Sequence, residues 1–464
     1  MHYYLAVDIG ASGGRHMLGH IKGGKIVYEQ IHRFKTQKGG WNWSSDVLIE
    51  GIIEGMIKCR EAGKIPKSMG IDTFGVEFAL LDRENKHLAD SPQLRKELVM
   101  FDVVDKVHEL DPFVPQYFRT GIQKMPVNTL YQLYSLKLSQ PELLQQAGTF
   151  IMLPDLLNFA LTGVIRHEYT FATTTQLLHA RDKDWDYKTI RSLGLPEEIF
   201  GEISQPGTFV GRLLPEIRRR VGFDCAVYQV ASHDTASAYL AAPVPDENSV
   251  LVSSGTWSLI GAESLEPVIS ETSLKEGLSN EGNYASRYRV LKNLVGTYML
   301  QRVKAELDDR YDFPQLAQLA REASGFPSTI DSTDFRLLTL ESMIQGIKDL
   351  CAQSGQPVPE TTGEVLQCIY RSIAQGYVRV TRGLERSMNK KFTSLSIFSG
   401  GCRDDYLNQL AAEVTGLPVY AGPVEAATIG NFLMQMLEDG TYSGLEEARA
   451  AVRDSFEIKR IDPR

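Results

Sequence analysis

Two α/β domains built on largely parallel sheets are what this sequence predicts, on three observations. A strand-rich opening with glycine turns occurs twice, over Tyr3–Phe34 and over Ser249–Ser264. Segments of strand pattern alternate with segments of helix period along much of the chain, as in α/β layers. Between the openings lies "APVPDENS", Ala242–Ser249, two prolines followed by acidic and polar residues, a linker composition. The expected domains are residues 1–244 and 245–464. The two openings predict domains of related design, each with an antiparallel start to a mixed sheet.

The elements follow in order. In "YYLAVDIGASGGRHMLGHIKGGKIVYEQIHRF" a strand ends near Asp8, a Gly-rich turn follows, and Gly23-Gly24 joins two further strands. "SSDVLIEGIIEGMIKCREAG" carries Val47, Leu48, Ile52, Ile53, Met56 and Ile57 at helical spacing. Ser44 or Ser45 is expected to cap that helix and Gly63 to end it. "MGIDTFGVEFALLD" predicts two strands around Gly75, and "NTLYQLYSLKLSQPELLQQA" and "LPDLLNFALTG" predict helices. "CAVYQVA" predicts a strand and "TASAYLAA" the helix after it. Beyond the second opening helices dominate until the strand "LSIFSGG". The helix "DDYLNQLAAEVTG", the strand "LPVYAG" and the helix "VEAATIGNFLMQMLEDG" come next.

Composition narrows the function classes. The 464 residues are 43% apolar and 23% charged, with a net charge of -9, an ordinary globular balance. Mild acidity with no basic stripe argues against a nucleic-acid surface. The N-terminus lacks a basic n-region and long apolar core, and no run approaches the roughly 18 apolar residues of a membrane span. The expectation is a cytoplasmic protein without membrane or nucleic-acid partners, a monomer or homodimer. Five cysteines fall in no CxxC-type spacing, against a zinc site. Cys351 and Cys368 are left open between a disulfide and two buried thiols.

Four stretches carry candidate chemistry. "DIGASGGR", Asp8–Arg15, lets backbone amides approach an anion, with Arg15 as a fixed charge; judged alone, the same residues favour a plain hairpin turn. It is no Walker loop, since no Gly-Lys-Ser/Thr follows. "SSGTWS", Ser253–Ser258, repeats the hydroxyl-and-glycine turn. Two such phosphate clamps facing each other across a cleft would hold a nucleoside triphosphate. "SGGCRDDYLNQL" closes a strand with Gly400-Gly401, where a flat base or ribose could lie on the backbone, and Asp404 or Asp405 would cap the next helix. In "VASHDTASA", Asp234 ends a strand and begins a helix. Ligands of open α/β sheets collect at such strand ends, and a helix N-terminus keeps a carboxylate ionised. Asp234 is therefore either a helix cap beside a core histidine, or a base that accepts a hydroxyl proton during phosphoryl transfer.

These stretches, together with "IDTFGVEFALLD", "EYTFATTTQLL", "RYRVLKN" and "VEAATIGN", resemble the FGGY carbohydrate kinases from Asp8 to Asn431. The resemblance implies two actin-like (ribonuclease-H-like) domains with an active-site cleft between them. It is strongest toward members that use ATP and Mg²⁺ to phosphorylate the 1-hydroxyl of L-rhamnulose. It implies Asp234 as proton acceptor and Gly75, His233, Thr235 and Asn293 as sugar contacts. It implies Ala11, Ser12, Gly13, Gly14, Arg15, Thr256, Gln301 and Gly401 as ATP contacts, and Asp8 as organiser of the metal through water. The chain departs from the family pattern at Phe74 and Glu77, where Trp and Asp are usual, and at Phe171 and Ser399, where Asn and Gly are usual. It also departs over Asp90–Val99, where Arg95 is followed by Lys96 rather than an acid. L-rhamnulose, another ketose such as L-fuculose or a pentulose, and a non-catalytic sugar or nucleotide sensor all remain open on these residues.

Overall fold

The computed structural model describes residues 2–10, 13–36, 42–92 and 99–464. The chain forms two compact units. The first comprises Met1–Ala241, Glu263–Val290 and Ala426–Ser455, and the second Ala242–Ala262, Leu291–Glu425 and Phe456–Arg464. The linker composition at Ala242–Ser249 thus sits where the chain first leaves the first unit. Two later segments return to it.

The first unit is organised by a six-stranded sheet. Its strands are β1 (Tyr3–Gly10), β2 (Gly13–Lys22), β3 (Lys25–Phe34), β4 (Pro66–Thr73), β8 (Phe209–Arg212) and β9 (Ala226–Tyr228), in the order β8-β9-β4-β1-β2-β3. A smaller sheet holds β5 (Phe78–Asp82), β6 (His87–Asp90) and β7 (Ala147–Met152). β1 to β3 form an antiparallel meander, while β4 runs parallel to β1 and β9 parallel to β4. Leu5, Val7 and Ile9 of β1 and Met69 and Ile71 of β4 are fully buried. Central parallel strands are covered on both faces and so read as continuous apolar runs.

Helix α1 (Ser45–Glu61) packs on this sheet through Leu48, Ile52, Ile53 and Met56. Ser44 holds the N-cap position, but its side chain makes no capping bond; the neighbouring Ser45 hydroxyl donates instead to Asp90 at 3.3 Å. The helix expected across Asn128–Ala147 is two helices, Thr129–Ser139 and Pro141–Gln146, because Pro141 has no amide to continue the ladder.

Helix α2 (Asp234–Leu240) follows the Ser-His turn directly. It packs against α4 (Ala426–Glu438), one of the returning segments. A Cβ on Gly430 would lie 1.8 Å from the Ser237 carbonyl oxygen, so only glycine permits this crossing.

The second unit repeats the plan. Strands β10 (Ser249–Ser254), β11 (Trp257–Ser264), β12 (Tyr288–Val295), β13 (Ser394–Phe398), β14 (Val419–Ala421) and β15 (Lys459–Ile461) run in the order β12-β11-β10-β13-β14-β15 within a seven-stranded sheet, the end of β11 from Glu263 and the start of β12 up to Val290 lying in the segment assigned to the first unit. β10 and β11 are antiparallel, and β10, β13 and β14 are parallel. Helix α3 (Asp405–Thr415) starts after the glycines, and Asp404 caps it by accepting from the Tyr406 and Leu407 amides at 3.1 and 3.0 Å. All five cysteines are buried thiols, with Cys351 and Cys368 sulfurs 3.8 Å apart. Among the described residues no helix is long and apolar enough to cross a membrane.

Candidate active site

In the first unit, neighbouring strands deliver acids to the same sheet end. Asp8 on β1 is in register with Asp72 on β4 and with Arg15 on β2. The Ser232–His233 turn continues this edge: the Thr73 amide donates to Ser232 O at 2.9 Å, and Thr73 bridges His233. Asp8, Asp72 and Asp234 are thereby gathered at the carboxyl ends of parallel strands, where such sheets bind ligands.

Each acid has a partner. Arg15 Nη2 donates to Asp8 Oδ2 at 2.6 Å, and the Thr428 hydroxyl donates to the same oxygen at 3.3 Å. Asn431 Nδ2 donates to Asp72 Oδ2 at 2.7 Å. Thr428 and Asn431 are three residues apart on α4 and so share a face, which explains polar residues on a buried helix. Asp72 Oδ1 is buried without a hydrogen-bond partner among the described residues. Burial, and then the charge of Asp8, push the Asp72 carboxyl well above the usual range.

Asp234 begins α2, and its side chain keeps 32% of its surface. Burial raises its carboxyl, the neighbouring His233 pulls it down, and Asp8 pushes it up, with a net upward shift. The Thr235 hydroxyl donates to Asp234 Oδ1 at 3.2 Å. His233 Nε2 lies 3.5 Å from the same oxygen. A Cβ at Gly75 would stand 3.2 Å from His233 Nε2 and 3.5 Å from the Thr174 methyl, so glycine keeps space open beside the imidazole. Next to it Val76 adopts φ +72°, a left-handed conformation costly for a β-branched residue. It is fixed there by Thr174 Oγ1, which accepts from its amide at 3.3 Å, and by Thr129 and Gln132, which donate to its carbonyl at 2.7 and 3.2 Å. Backbone strain held this firmly is typical of a functional site.

Two further buried groups hold the turn. Glu168 accepts from the amides of Thr170, Phe171 and Ser232 at 2.8, 2.9 and 3.2 Å and from the Thr170 hydroxyl at 2.6 Å. Burial nevertheless pushes its carboxyl up to about 7. On the other side, Arg289 contacts both His233 and Glu281.

The hairpin β1–β2 closes at Gly10↔Gly13. Ala11 and Ser12 lie outside the described residues, as do Arg95 and Lys96. A Cβ on Gly14 would meet the Phe34 ring at 2.2 Å, and one on Gly13 the Phe34 carbonyl oxygen at 2.9 Å. Packing alone therefore demands these two glycines. Of the departures from the family pattern, Glu77 is fully buried and accepts a bond from the Ser91 hydroxyl.

In the second unit the matching sheet end carries hydroxyls and glycines. The β10–β11 turn contains Gly255 and the exposed Thr256. The Gly296 and Tyr298 amides both donate to Thr256 O at 3.1 Å, and Gln301 Nε2 reaches Thr256 Oγ1 at 3.5 Å. A Cβ on Gly401 would lie 2.1 Å from Ser254 Oγ, whereas one on Gly400 meets only open space. Ser399 has φ +68° and ψ −170°, a region kept for glycine. Its hydroxyl lies 3.2 Å from that of Ser253.

Asp8, Gly13, Gly14, Arg15, Gly75, His233, Asp234 and Thr235 thus belong to the first unit, and Thr256, Asn293, Gln301 and Gly401 to the second. Sequence reasoning missed Asp72, Glu168, Glu281, Arg289, Thr428 and Asn431. A signal existed for Arg289: a charged residue inside the apolar strand pattern "YRVL" must be exposed or paired.

Comparison with known proteins extends the picture. The model of the N-terminal domain of the FGGY family of carbohydrate kinases matches residues 3–241, and that of the C-terminal domain matches 250–438. The chain is 42% identical to a rhamnulokinase of Halalkalibacterium halodurans, covering 99% of this chain and 98% of the relative. It is 37% identical to a rhamnulokinase of Bacillus subtilis, covering 99% and 95%. A gluconate kinase structure from Lactobacillus acidophilus superposes with a TM-score of 0.79 at 18% identity, covering 100% and 94%. A Plasmodium falciparum glycerol kinase structure with ADP gives 0.79 at 14%, covering 100% and 95%. These structures share the fold of two ribonuclease-H-like, actin-like domains. With both domain models matched and full-length relatives this close, the chain belongs to the FGGY family of carbohydrate kinases.

Proposed function

We propose that this kinase transfers the γ-phosphoryl group of ATP to the 1-hydroxyl of L-rhamnulose, with Asp234 accepting the hydroxyl proton. One observation carries the base assignment: Asp234 is a partly exposed carboxylate at a helix N-terminus and a sheet's carboxyl edge, beside His233 and the space kept by Gly75. The sugar identity is supported by the full-length likeness to proteins named rhamnulokinase.

In this reading the sugar's O1 attacks the γ-phosphorus and its proton passes to Asp234 as the bond to the β-phosphate oxygen breaks. ADP and the sugar 1-phosphate are the products. Such a transfer needs little covalent help from the protein, and positioning with charge stabilisation supplies most of the acceleration. His233, Gly75, Thr235 and Asn293 would hold the sugar. Ala11–Arg15, Thr256, Gln301 and Gly401 would hold ATP. The N-terminal region, 1–244, would carry Asp234, the sugar contacts other than Asn293 and the first phosphate turn. Residues 245–464 would carry the second turn and the adenosine side.

Among the described residues no cluster of three or more His, Cys, Asp or Glu forms a metal cage. Mg²⁺ keeps several waters and is shared with substrate phosphates, and the orphaned Asp72 Oδ1 near Asp8 suits that mode. Asp8 and Asp72 would hold the ion through water, and it would neutralise phosphate charge. The protein would act in the cytoplasm as a monomer or homodimer.

The test is product analysis. L-rhamnulose, ATP, Mg²⁺ and the protein should give ADP and a sugar phosphate whose phosphorus couples to the C1 protons by NMR. ADP release without a sugar phosphate, or a phosphate on another carbon, overturns the reading.

A further inference from the structure

His233 stands between two acids and a buried arginine, and the arginine decides which ring nitrogen carries the proton. Arg289 is fully buried. Its Nε donates to Gly282 O at 2.9 Å, and its Nη2 lies 3.0 Å from Glu281 Oε2 and 3.2 Å from His233 Nδ1. Guanidinium groups donate only. The contact with Nδ1 is therefore a hydrogen bond only if Nδ1 offers its lone pair. Glu281 Oε2 is 3.4 Å from Nδ1, yet no hydrogen bond to that oxygen has acceptable geometry among the described residues. Glu281 instead balances the guanidinium charge. Burial raises its carboxyl, and Arg289 is the largest of the influences that hold it below the ordinary value.

We infer that Arg289 is a positioning residue that fixes the His233 tautomer with its proton on Nε2. Nε2 is the nitrogen that faces Asp234 and the open side of Gly75. The edge shown to a ligand is then an N–H donor beside a carboxylate acceptor, 3.5 Å apart. That pair fits a hydroxyl next to a carbon bearing an acceptor oxygen, which is what a 2-ketose offers at C1 and C2. The hydroxyl gives its proton to Asp234, and the C2 oxygen accepts from His233. This consequence for the sugar rests on the proposed function; the tautomer does not.

The experiment uses the full-length protein labelled with ¹⁵N-histidine and long-range ¹H–¹⁵N correlation, with His233→Asn to assign the signal. The expected wild-type pattern is an unprotonated Nδ1 and a protonated Nε2 at neutral pH without any ligand. A protonated Nδ1 overturns the inference, whatever the sugar is found to be. The paired variant Glu281→Gln/Arg289→Met removes both charges together, avoiding a lone buried ion. It should lose the single-tautomer pattern and raise the KM for sugar by roughly three- to tenfold, the effect of one hydrogen bond, with the KM for ATP unchanged. Arg289→Lys, still a donor, should keep the wild-type pattern. An unchanged pattern in the paired variant, or equal loss toward sugar and ATP, reduces Arg289 to a structural role and overturns the inference.

Discussion

The two units share a sheet core, an antiparallel hairpin beside two parallel strands, with opposite chemistry at its carboxyl end. In the first, register pairs Asp8 with Asp72, and Asp234 follows on the neighbouring turn. In the second, Ser253 is paired with Phe398, Ser254 ends β10, and Gly255, Thr256, Ser399, Gly400 and Gly401 follow the strand ends. Carboxylates suit proton acceptance and a hydrated cation. Hydroxyls and bare backbone suit an anion or a flat ring, and repel neither. In the proposed reading one architecture would serve two halves of a phosphoryl transfer through different residues at its strand ends.

The sharpest way to break this comparison is Asp234→Asn. It would remove the proposed proton acceptor and should lower kcat by about 10²–10⁴, leaving the KM for ATP little changed; a loss confined to KM for ATP would erase the contrast between units. Next in size is Gly401→Ala, whose new Cβ collides with Ser254. Misplacement on the scale of 1 Å should lower kcat/KM for ATP on the order of ten- to a hundredfold, with the KM for sugar steady. Equal damage to both would deny the second unit its nucleotide role.

The pH profile tests the acid cluster more gently. A base must be ionised, and burial raises the Asp234 carboxyl above its ordinary range. Activity should therefore fall on the acid side at a pH higher than the ordinary Asp value of about 3.9, and Asp234→Asn should lack that limb. The smallest effect is Ser399→Gly. A serine at φ +68°, ψ −170° stores strain that glycine would release, so stability should rise by roughly 1 kcal/mol, measured by denaturant midpoint. A drop would mean that the contact with Ser253 outweighs the strain.

Much of this was legible in the sequence because strand ends and turns announce themselves locally. The Ser-His-Asp seam between two apolar runs located Asp234, and Asp404 was readable as a cap. The supporting residues were not, because their partners are remote in sequence. Thr428 serves Asp8 across 420 positions and Asn431 serves Asp72 across 359. Local pattern shows only one seam, at Ala242–Ser249, and cannot show that Glu263–Val290 and Ala426–Ser455 rejoin the first unit. Gly13 and Gly14 show the converse: they look like an anion loop, yet the Phe34 ring and carbonyl already require them.

The most direct measurement is coupled ADP release with ATP, Mg²⁺ and a panel of ketoses. L-rhamnulose should give the highest kcat/KM, with L-fuculose and the pentuloses well below it and little ADP formed without sugar. A higher value for another ketose, or ADP release indifferent to sugar, would contradict L-rhamnulose as the phosphoryl acceptor.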